Sequence, residues 1–204
     1  MKKLKRSFYQ RDALQVAQDL LGKILVHKTD QGEISGKIVE VEAYIGSIDK
    51  AAHTYNNRRT ARTEIMFGVG GFAYVYFIYG MYYCMNVVAG EDGDGQAVLI
   101  RALEPIGGIE QMAINRFNRP MSQLTRKQKN DLTNGPGKLC KALSITKDNY
   151  GDDLTGNELF VCECFNKNSA DIVKTKRINI DYAEEAREFE WRFYIKDNPY
   201  VSKQ

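Results

Sequence analysis

The chain has 204 residues, of which 43% are hydrophobic, and its formal net charge is +3. A chain of this length buries roughly 70% of its unfolded surface, which supports one sizeable hydrophobic core. The small net charge excludes a histone-like polybasic binder, and the low proline content and lack of repeats exclude low-complexity and solenoid chains. We therefore expect a single domain over residues 1–204.

Cysteine and histidine usage argues against a metal site. The four cysteines lie in apolar runs without ligand spacing, and the chain has only two histidines. We expect reduced thiols, no metal and no cofactor, and therefore a cytoplasmic protein. No long apolar run follows the basic N-terminus, so neither a targeting signal nor a membrane partner is expected.

The N-terminal part of the chain predicts a helix followed by a hairpin. Apolar spacing indicates a helix over residues 12–21, and Gly22 suits the position after its C-terminus. A strand over residues 23–28 and a turn at residues 30–32 lead into a second strand at residues 38–45.

That second strand carries acidic and aromatic side chains on one face. Its alternation predicts an apolar face made of Val39, Val41, Ala43 and Ile45. The opposite face is then made of Ile38, Glu40, Glu42 and Tyr44. Carboxylates beside an aromatic ring suit general acid–base chemistry. The residues leave the choice between Glu40 and Glu42 open, as well as the alternative of two exposed carboxylates paired with arginines.

A long polar loop over residues 46–62 follows the acidic strand. Loops of this length without periodicity are commonly functional. This one holds His53 and a basic cluster that includes Arg58. Basic clusters on separate loops suit phosphate contacts if the fold gathers them, although solvated surface charge is the simpler interpretation of each cluster taken alone.

Residues 72–88 form the densest aromatic stretch and predict a hairpin. Two strands meet around residues 78–81, where Gly80 permits a tight turn. Core packing explains most of these rings. It does not explain Tyr79 and Met81 at the tip, since an exposed apolar tip is typical of a wedge that enters a partner such as the DNA minor groove.

The C-terminal half predicts mixed strands and helices. A buried strand at residues 97–103 contains Arg101, which needs a partner or a cleft, and Glu104–Pro105 is expected to end it. Helices are expected at residues 108–117 and within 133–143, where Lys138 and free amides at the helix start suit a phosphate. Further strands are expected at residues 158–162, 172–180 and 191–195, with a polar helix or turn at 181–190. Strands in pairs favour an α+β fold with a mostly antiparallel curved sheet, flanking helices and a protruding hairpin.

Several motifs in the same order resemble the alkyladenine (3-methyladenine) DNA glycosylase family. The resemblance extends from the first helix to Ser202, and it rests on the segments Val39–Tyr44, Ala51–His53, Tyr74–Asn86, Val98–Pro105 and Asn134–Leu143. It implies a single-domain α+β enzyme that needs no metal. One departure is Asn179, at a position beside the base pocket where the family usually has glycine, so pocket size and substrate range can differ.

The resemblance implies a role for each matching residue. Glu42 matches the general base, and Tyr44, His53 and Tyr76 match the rings that enclose a flipped base. Asn86 matches a residue that disfavours the amine of normal guanine, while Arg101 and Ile178 lie near the flipped nucleotide. Tyr79 matches the residue that fills the vacated place in the duplex. The remaining expected DNA contacts are Met81, Arg58 and Lys138.

These roles together predict a monofunctional DNA repair glycosylase. We expect a monomer that binds damaged double-stranded DNA, flips out an alkylated or deaminated purine and hydrolyses the N-glycosidic bond with a water activated by Glu42. Two alternatives are a non-catalytic nucleic-acid-binding module of the same fold and a hydrolase of free nucleosides. The latter needs neither the hairpin tip nor the arginine loop.

Overall fold

The computed structural model describes residues 2–164 and 171–203. Its strands are β1 (Ile24–Thr29), β2 (Gly32–Tyr44), β3 (Ala73–Ile78), β4 (Tyr82–Ala89), β5 (Gln96–Gly107), β6 (Leu159–Cys162), β7 (Ile172–Thr175) and β8 (Arg192–Ile195). Its α-helices are α1 (Arg6–Tyr9), α2 (Ala13–Leu20), α3 (Ile109–Phe117), α4 (Arg126–Asn130) and α5 (Pro136–Ala142). The short helices α1 and α4 were not predicted.

The strands form one antiparallel sheet in which β2 is the central element. The order is β3-β4-β5-β2-β1-β6, and β8 pairs with both β2 and β7. Along one edge of β2, its first half pairs with β1 and residues 40–42 pair with β8, while β5 follows the other edge. The predicted α+β fold with a mostly antiparallel curved sheet and flanking helices is confirmed.

Two register irregularities between β2 and β5 determine which side chains face the site. Ile38 pairs with Leu103 and Glu40 with Ala102, which leaves Val39 as an extra residue on β2. The next pair joins Val41 to Ile100, which leaves Arg101 as an extra residue on β5. Extra residues of this kind bend a strand and change the direction of neighbouring side chains.

The predicted alternation of the acidic strand is therefore wrong at its first two residues. Ile38 lies in the main hydrophobic core with Val41 and Ala43, whereas Val39 packs on the other face against Ala102 and Tyr194. The bulge at Val39 shifts the alternation by one residue, because the side-chain period in a strand is two. From Glu40 onward the predicted faces are correct.

Other boundaries differ for physical reasons. Strand β5 continues past Glu104–Pro105 to Gly107, because Pro105 lies next to a register shift where its missing N–H costs no regular ladder bond. Strand β7 ends at Thr175, since Arg177 is buried and the chain turns there. Asp12 caps α2 as predicted by accepting from the Leu14 amide, and helices α2, α3 and α5 cover the core.

The predicted hairpin is formed by β3 and β4. The connection has three residues, 79–81, and Tyr79 and Gly80 in it have positive φ, at 55° and 67°. The Met81 amide donates to the Ile78 carbonyl and closes this tight turn. None of the described helices has the length and apolar composition that crossing a bilayer requires.

Candidate active site

A cavity of about 270 Å³ opens between the loops and the acidic face of the sheet. Ligand pockets commonly measure about 300–1,000 Å³, so this cavity is at the small end of that range and admits only a small ligand. Its lining includes Tyr79 and all six residues predicted for the base pocket: Tyr44, His53, Tyr76, Asn86, Arg101 and Ile178. The fold thus brings together residues that are up to 134 positions apart in the chain, as Tyr44 and Ile178 are.

Glu42 lies directly behind the lining of this cavity, because its side-chain partners Tyr44, Arg101 and Ile178 belong to that lining. Its side chain has no exposed area, and its Oε1 accepts a 2.8 Å hydrogen bond from the Ile178 amide. Its Oε2 accepts from the Tyr44 hydroxyl at 2.9 Å and lies 3.2 Å from Arg101 Nη1. All three partners line the cavity, so the carboxylate is held by polar groups and not by the apolar core. A carboxylate offers about four lone-pair positions, so about one remains for a water.

Glu40 occupies a different environment on the same face. Its Oε1 accepts from Arg192 Nη1 at 2.6 Å and from the Ser202 hydroxyl at 2.9 Å. Its Oε2 accepts from the Ser202 amide at 2.7 Å. Neither carboxylate belongs to the lining itself. Apart from the shared Arg101, the partners of Glu40 come from β8 and the C-terminal segment, whereas the partners of Glu42 all line the cavity. This difference separates the two carboxylates that the alternation alone could not separate.

Arg101 lies between the two carboxylates. Burial lowers the pKa of its guanidinium, but the charges of Glu42 and Glu40 outweigh this effect and leave the pKa raised. The cation expected in the apolar strand therefore has both a cleft and two partners, and it stays charged.

Aromatic rings form the sides of the cavity. The ring of Tyr76 stacks on Tyr74 with centroids 5.4 Å apart, and His53 meets Tyr76 edge-on at 4.7 Å. Burial raises the pKa values of Tyr44 and Tyr76, and raises that of Tyr74 to about 12. These phenols stay neutral at pH 7.

His53 is also neutral at this pH. Burial, together with the charges of Arg62 and Arg58, lowers the pKa of its imidazole to about 4. One ring nitrogen, Nδ1, forms a 2.8 Å hydrogen bond with the Tyr74 hydroxyl, which fixes the ring. A neutral ring beside the cavity does not repel a cationic ligand.

The amide of Asn86 is a buried polar group in the lining of the cavity. This residue is 4% exposed, and its Nδ2 donates to the Tyr74 carbonyl at 3.2 Å. Cys84 also lines the cavity, and burial raises the pKa of its thiol to about 11. Sequence reasoning assigned neither Tyr74 nor Cys84 to the site. Both lie in the predicted aromatic hairpin, but their direction depends on the curvature of the sheet.

Sequence reasoning also missed an ion pair behind Tyr44. The Arg177 guanidinium donates to both Asp49 oxygens, at 2.5 and 2.8 Å, and neither side chain is exposed. It also donates to the carbonyls of Ala43 and Ala186, and it stacks between the rings of Tyr44 and Trp191. This pair fixes the segment that carries Ile178. No pattern in the sequence indicated this pair, because Asp49 and Arg177 lie in two loops that are 128 residues apart.

The mouth of the cavity carries exposed aromatic residues. Tyr79, at the hairpin tip, lines the cavity and is 72% exposed. Met81, at the same tip, is 65% exposed but does not line this cavity, and its contact with DNA stays a prediction. Tyr182, which was not predicted, is 69% exposed and also lines the mouth. Asn179 lies beside it with a φ of 60°.

The two predicted basic contacts differ in their surroundings. Arg58 is exposed and lines a second cavity that shares His53 with the first. Lys138 donates to Asp131 at 3.0 Å and to Asn134 at 2.8 Å, so its charge is already compensated. Its contact with DNA stays a prediction. Within residues 2–164 and 171–203, no group of three or more His, Cys, Asp or Glu side chains is placed to hold a metal.

Comparison with known proteins identifies the family. The family model described as methylpurine-DNA glycosylase (MPG) matches residues 7–199. The chain belongs to the methylpurine-DNA glycosylase family. This membership confirms the predicted family and the predicted enzyme class, a DNA glycosylase of DNA repair.

Full-length relatives of this methylpurine-DNA glycosylase family member carry a consistent name. A protein of Alkaliphilus oremlandii is 59% identical over 99% of this chain and 100% of its own length. A protein of Clostridium botulinum is 58% identical over 98% of this chain and 99% of its own length. A protein of Desulfitobacterium hafniense is 55% identical over 99% of this chain and 99% of its own length. All three are named "Putative 3-methyladenine DNA glycosylase".

Proposed function

We propose that this protein releases alkylated purines, 3-methyladenine among them, from double-stranded DNA by hydrolysis and leaves an abasic site. The observation that carries the proposal is the position of Glu42, a carboxylate held by three cavity-lining groups with one lone pair to spare. A deaminated purine is a second candidate substrate of the same cavity. The names of the relatives support the alkylated class first.

The target bond lies inside the base stack, so the nucleotide has to leave the duplex. Extrusion costs a few kcal/mol, and less for a damaged base. Stacking against a ring returns about 1–3 kcal/mol per base, and Tyr44, His53 and Tyr76 offer three rings around one cavity. We infer that Tyr79, which is exposed and lines the cavity, occupies the vacated position in the duplex.

The charge of the lesion explains selectivity. Purines methylated at N3 or N7 are cationic, and aromatic faces attract cations by about 0.5–2 kcal/mol. The rings of this cavity are neutral at pH 7, because burial raises the pKa values of the tyrosines and lowers that of His53. The same positive charge makes the purine a good leaving group.

Hydrolysis then needs a water and a base. We assign Glu42 as the general base, since its remaining lone pair accepts a proton from a water that attacks the sugar carbon. The bond between that carbon and the purine nitrogen breaks, and the purine leaves with the bonding electrons. No lysine lies near Glu42 on the acidic strand to form a Schiff base, so strand cleavage is not expected.

The decisive experiment measures free base. Purified protein is incubated with duplex DNA methylated at purines, and released bases are separated by chromatography. We expect methylpurine release by the wild type and a loss of about 10²–10⁴-fold in Glu42→Gln, with binding to the duplex retained.

Two other results would replace the proposal. Binding of methylated DNA without any free base would identify a non-catalytic nucleic-acid-binding module. Equal rates on duplex DNA and on the free methylated nucleoside would identify a nucleoside hydrolase, for which the hairpin tip is unnecessary.

A further inference from the structure

Glu40 is a fully buried carboxylate that the proposed reaction does not use. It lies two residues before Glu42 on the same face of β2, and neither side chain has exposed area. Its oxygens are occupied by Arg192 and by the hydroxyl and amide of Ser202. Burying a charge costs free energy that only ion pairs and hydrogen bonds offset. The presence of a second buried carboxylate next to the candidate base therefore calls for a reason.

The contact that links Glu40 to the site is Arg101. Its Nε lies 3.4 Å from Glu40 Oε1, and its Nη1 lies 3.2 Å from Glu42 Oε2. Charge-assisted pairs normally close to about 2.7–2.9 Å. Arg101 Nε has no aligned hydrogen bond, so the guanidinium is shared between two carboxylates and closes fully on neither. The bulge that leaves Arg101 unpaired in β5 places it between them.

We propose that Glu40 is a positioning residue that holds Arg101 away from a tight pair with Glu42. This proposal rests on the assignment of Glu42 as the general base. A carboxylate engaged bidentately by arginine is a weaker base and has fewer lone pairs for water. By drawing the guanidinium towards itself, Glu40 keeps one oxygen of Glu42 able to take a proton.

The order of the charged side chains along this chain of contacts supports the positioning role of Glu40. Arg192, Glu40, Arg101 and Glu42 alternate in sign along a buried chain of contacts and sum to zero. The C-terminal segment completes the chain, because Ser202 donates to Glu40 and the Lys203 carbonyl accepts from Arg192 at 2.8 Å. If the charge of Glu40 is removed, Arg101 has Glu42 as its remaining anionic partner and is expected to close on it.

The groups that face this network keep their protonation state near neutral pH. Those facing Glu40 are Arg101, Arg192 and Ser202. Those facing Glu42 are Arg101, Tyr44, Tyr76, Cys84 and Tyr182. Burial raises the pKa values of these tyrosines and of Cys84. His53, with a pKa of about 4, is common to every variant below, so comparison with the wild type removes its contribution.

The test compares pH profiles of base release. Single-turnover release from a duplex with one 7-methylguanine is measured between about pH 4.5 and 8 for wild type, Glu40→Gln, Glu40→Asp and Glu104→Gln. Glu104 is the control, since it pairs with Lys37 at 2.6 Å and accepts from Asn198 at 2.8 Å, and these contacts do not include Arg101, Glu42 or Arg192. Affinity for a duplex with an abasic-site analogue is measured in parallel.

In the pH profile of base release, the rate falls on the acidic side and is constant at higher pH. We expect Glu40→Gln to lower this constant rate about ten- to a hundredfold and to move the acidic limb, where the rate falls, about one pH unit lower. Affinity should stay unchanged. Glu40→Asp should keep the limb in place, because the charge is retained, and Glu104→Gln should match the wild type. If Glu40→Gln fails to fold, Glu40→Gln/Arg192→Gln removes one buried charge of each sign and carries the same expectation.

The proposal is overturned if the acidic limb does not move in either glutamine variant. It is also overturned if Glu40→Asp loses as much activity as Glu40→Gln, since that outcome indicates structural support alone. Failure of the proposed function gives a different result, namely no base release by the wild type at any pH.

Discussion

The backbone amide of Ile178 donates a 2.8 Å hydrogen bond to Glu42 Oε1 across 136 residues of sequence. The bond joins the acidic strand to the segment after β7, and it holds the carboxylate against a residue that lines the cavity. Its geometry depends on Arg177, whose buried pair with Asp49 fixes the preceding residue. The candidate base is therefore positioned by a backbone group, and its activity should respond to changes that move that group without touching Glu42.

Removal of the buried pair should reduce stability strongly. Asp49→Asn leaves the Arg177 guanidinium buried without its anion, and breaking a buried pair in this way costs about 3–5 kcal/mol. Urea unfolding measures the loss. The control is Arg59→Ala, which removes an exposed pair with Glu64 and should cost at most about 1 kcal/mol. Equal losses in the two variants would show that the buried pair does not anchor this segment.

The left-handed backbone at Asn179 should couple stability to activity. Its φ of 60° suits glycine and asparagine and is strained for a β-branched residue. Asn179→Gly should change the free energy of unfolding by less than about 1 kcal/mol, whereas Asn179→Val should lose about 1–3 kcal/mol. Asn179→Val should also slow base release, because the Ile178 amide moves.

Asn118 supplies the matched control for that experiment. It has a φ of 54° at the end of α3, away from the cavity. Asn118→Val should lose similar stability but release base at the wild-type rate under conditions where it is folded. A parallel loss of activity in both variants would show that backbone strain acts through global stability alone.

The ring of Tyr79 should matter for base flipping and not for the fold. Because Tyr79 has a φ of 55°, Tyr79→Asn removes the ring and keeps a residue that tolerates this backbone. Binding of the protein should raise the fluorescence of 2-aminopurine placed next to a lesion. We expect this rise to be about one tenth as large with Tyr79→Asn as with the wild type, since a stacking ring is worth about 1–3 kcal/mol. Phe77→Ala is the control, because Phe77 is exposed on the same hairpin but packs on Tyr83 and does not line the cavity. An unchanged signal in Tyr79→Asn would exclude the wedge.

The depressed pKa of His53 predicts a pH dependence of stability. Its folded-state pKa of about 4 lies below the ordinary value of 6.5, so protonation favours the unfolded chain. Stability from this group is present above about pH 6.5 and is lost as the pH falls towards 4. Allowing for partial exposure, the free energy of unfolding should fall between pH 7 and 5 by about 1–2 kcal/mol more in wild type than in His53→Gln. Parallel curves for the two proteins would contradict the burial of a neutral imidazole.

Local pattern accounts for much of the fold. Helix α2, the β1–β2 hairpin and the β3–β4 hairpin follow from apolar spacing and turn residues, which act over a few positions. The end of β5 and the first residues of the acidic strand were predicted wrongly, because register shifts arise from pairing between distant strands. No pattern in one strand shows that its partner carries an extra residue.

The sequence by itself determined the residue types of the site: a carboxylate beside aromatic residues, a polar loop with one histidine, and an apolar hairpin tip. It also determined the family, since long motifs occur in a fixed order. Only the tertiary structure separated the two carboxylates, because Glu40 and Glu42 share one strand face and differ in their partners. Those of Glu40 come from β8 and the C-terminus, and those of Glu42 come from the lining of the cavity. The tertiary structure also decided where the loops are anchored, through the pairing of Arg177 with Asp49. Local spacing constrains neighbours along the chain, whereas these contacts join groups more than 120 residues apart, so their geometry exists only after the sheet has formed.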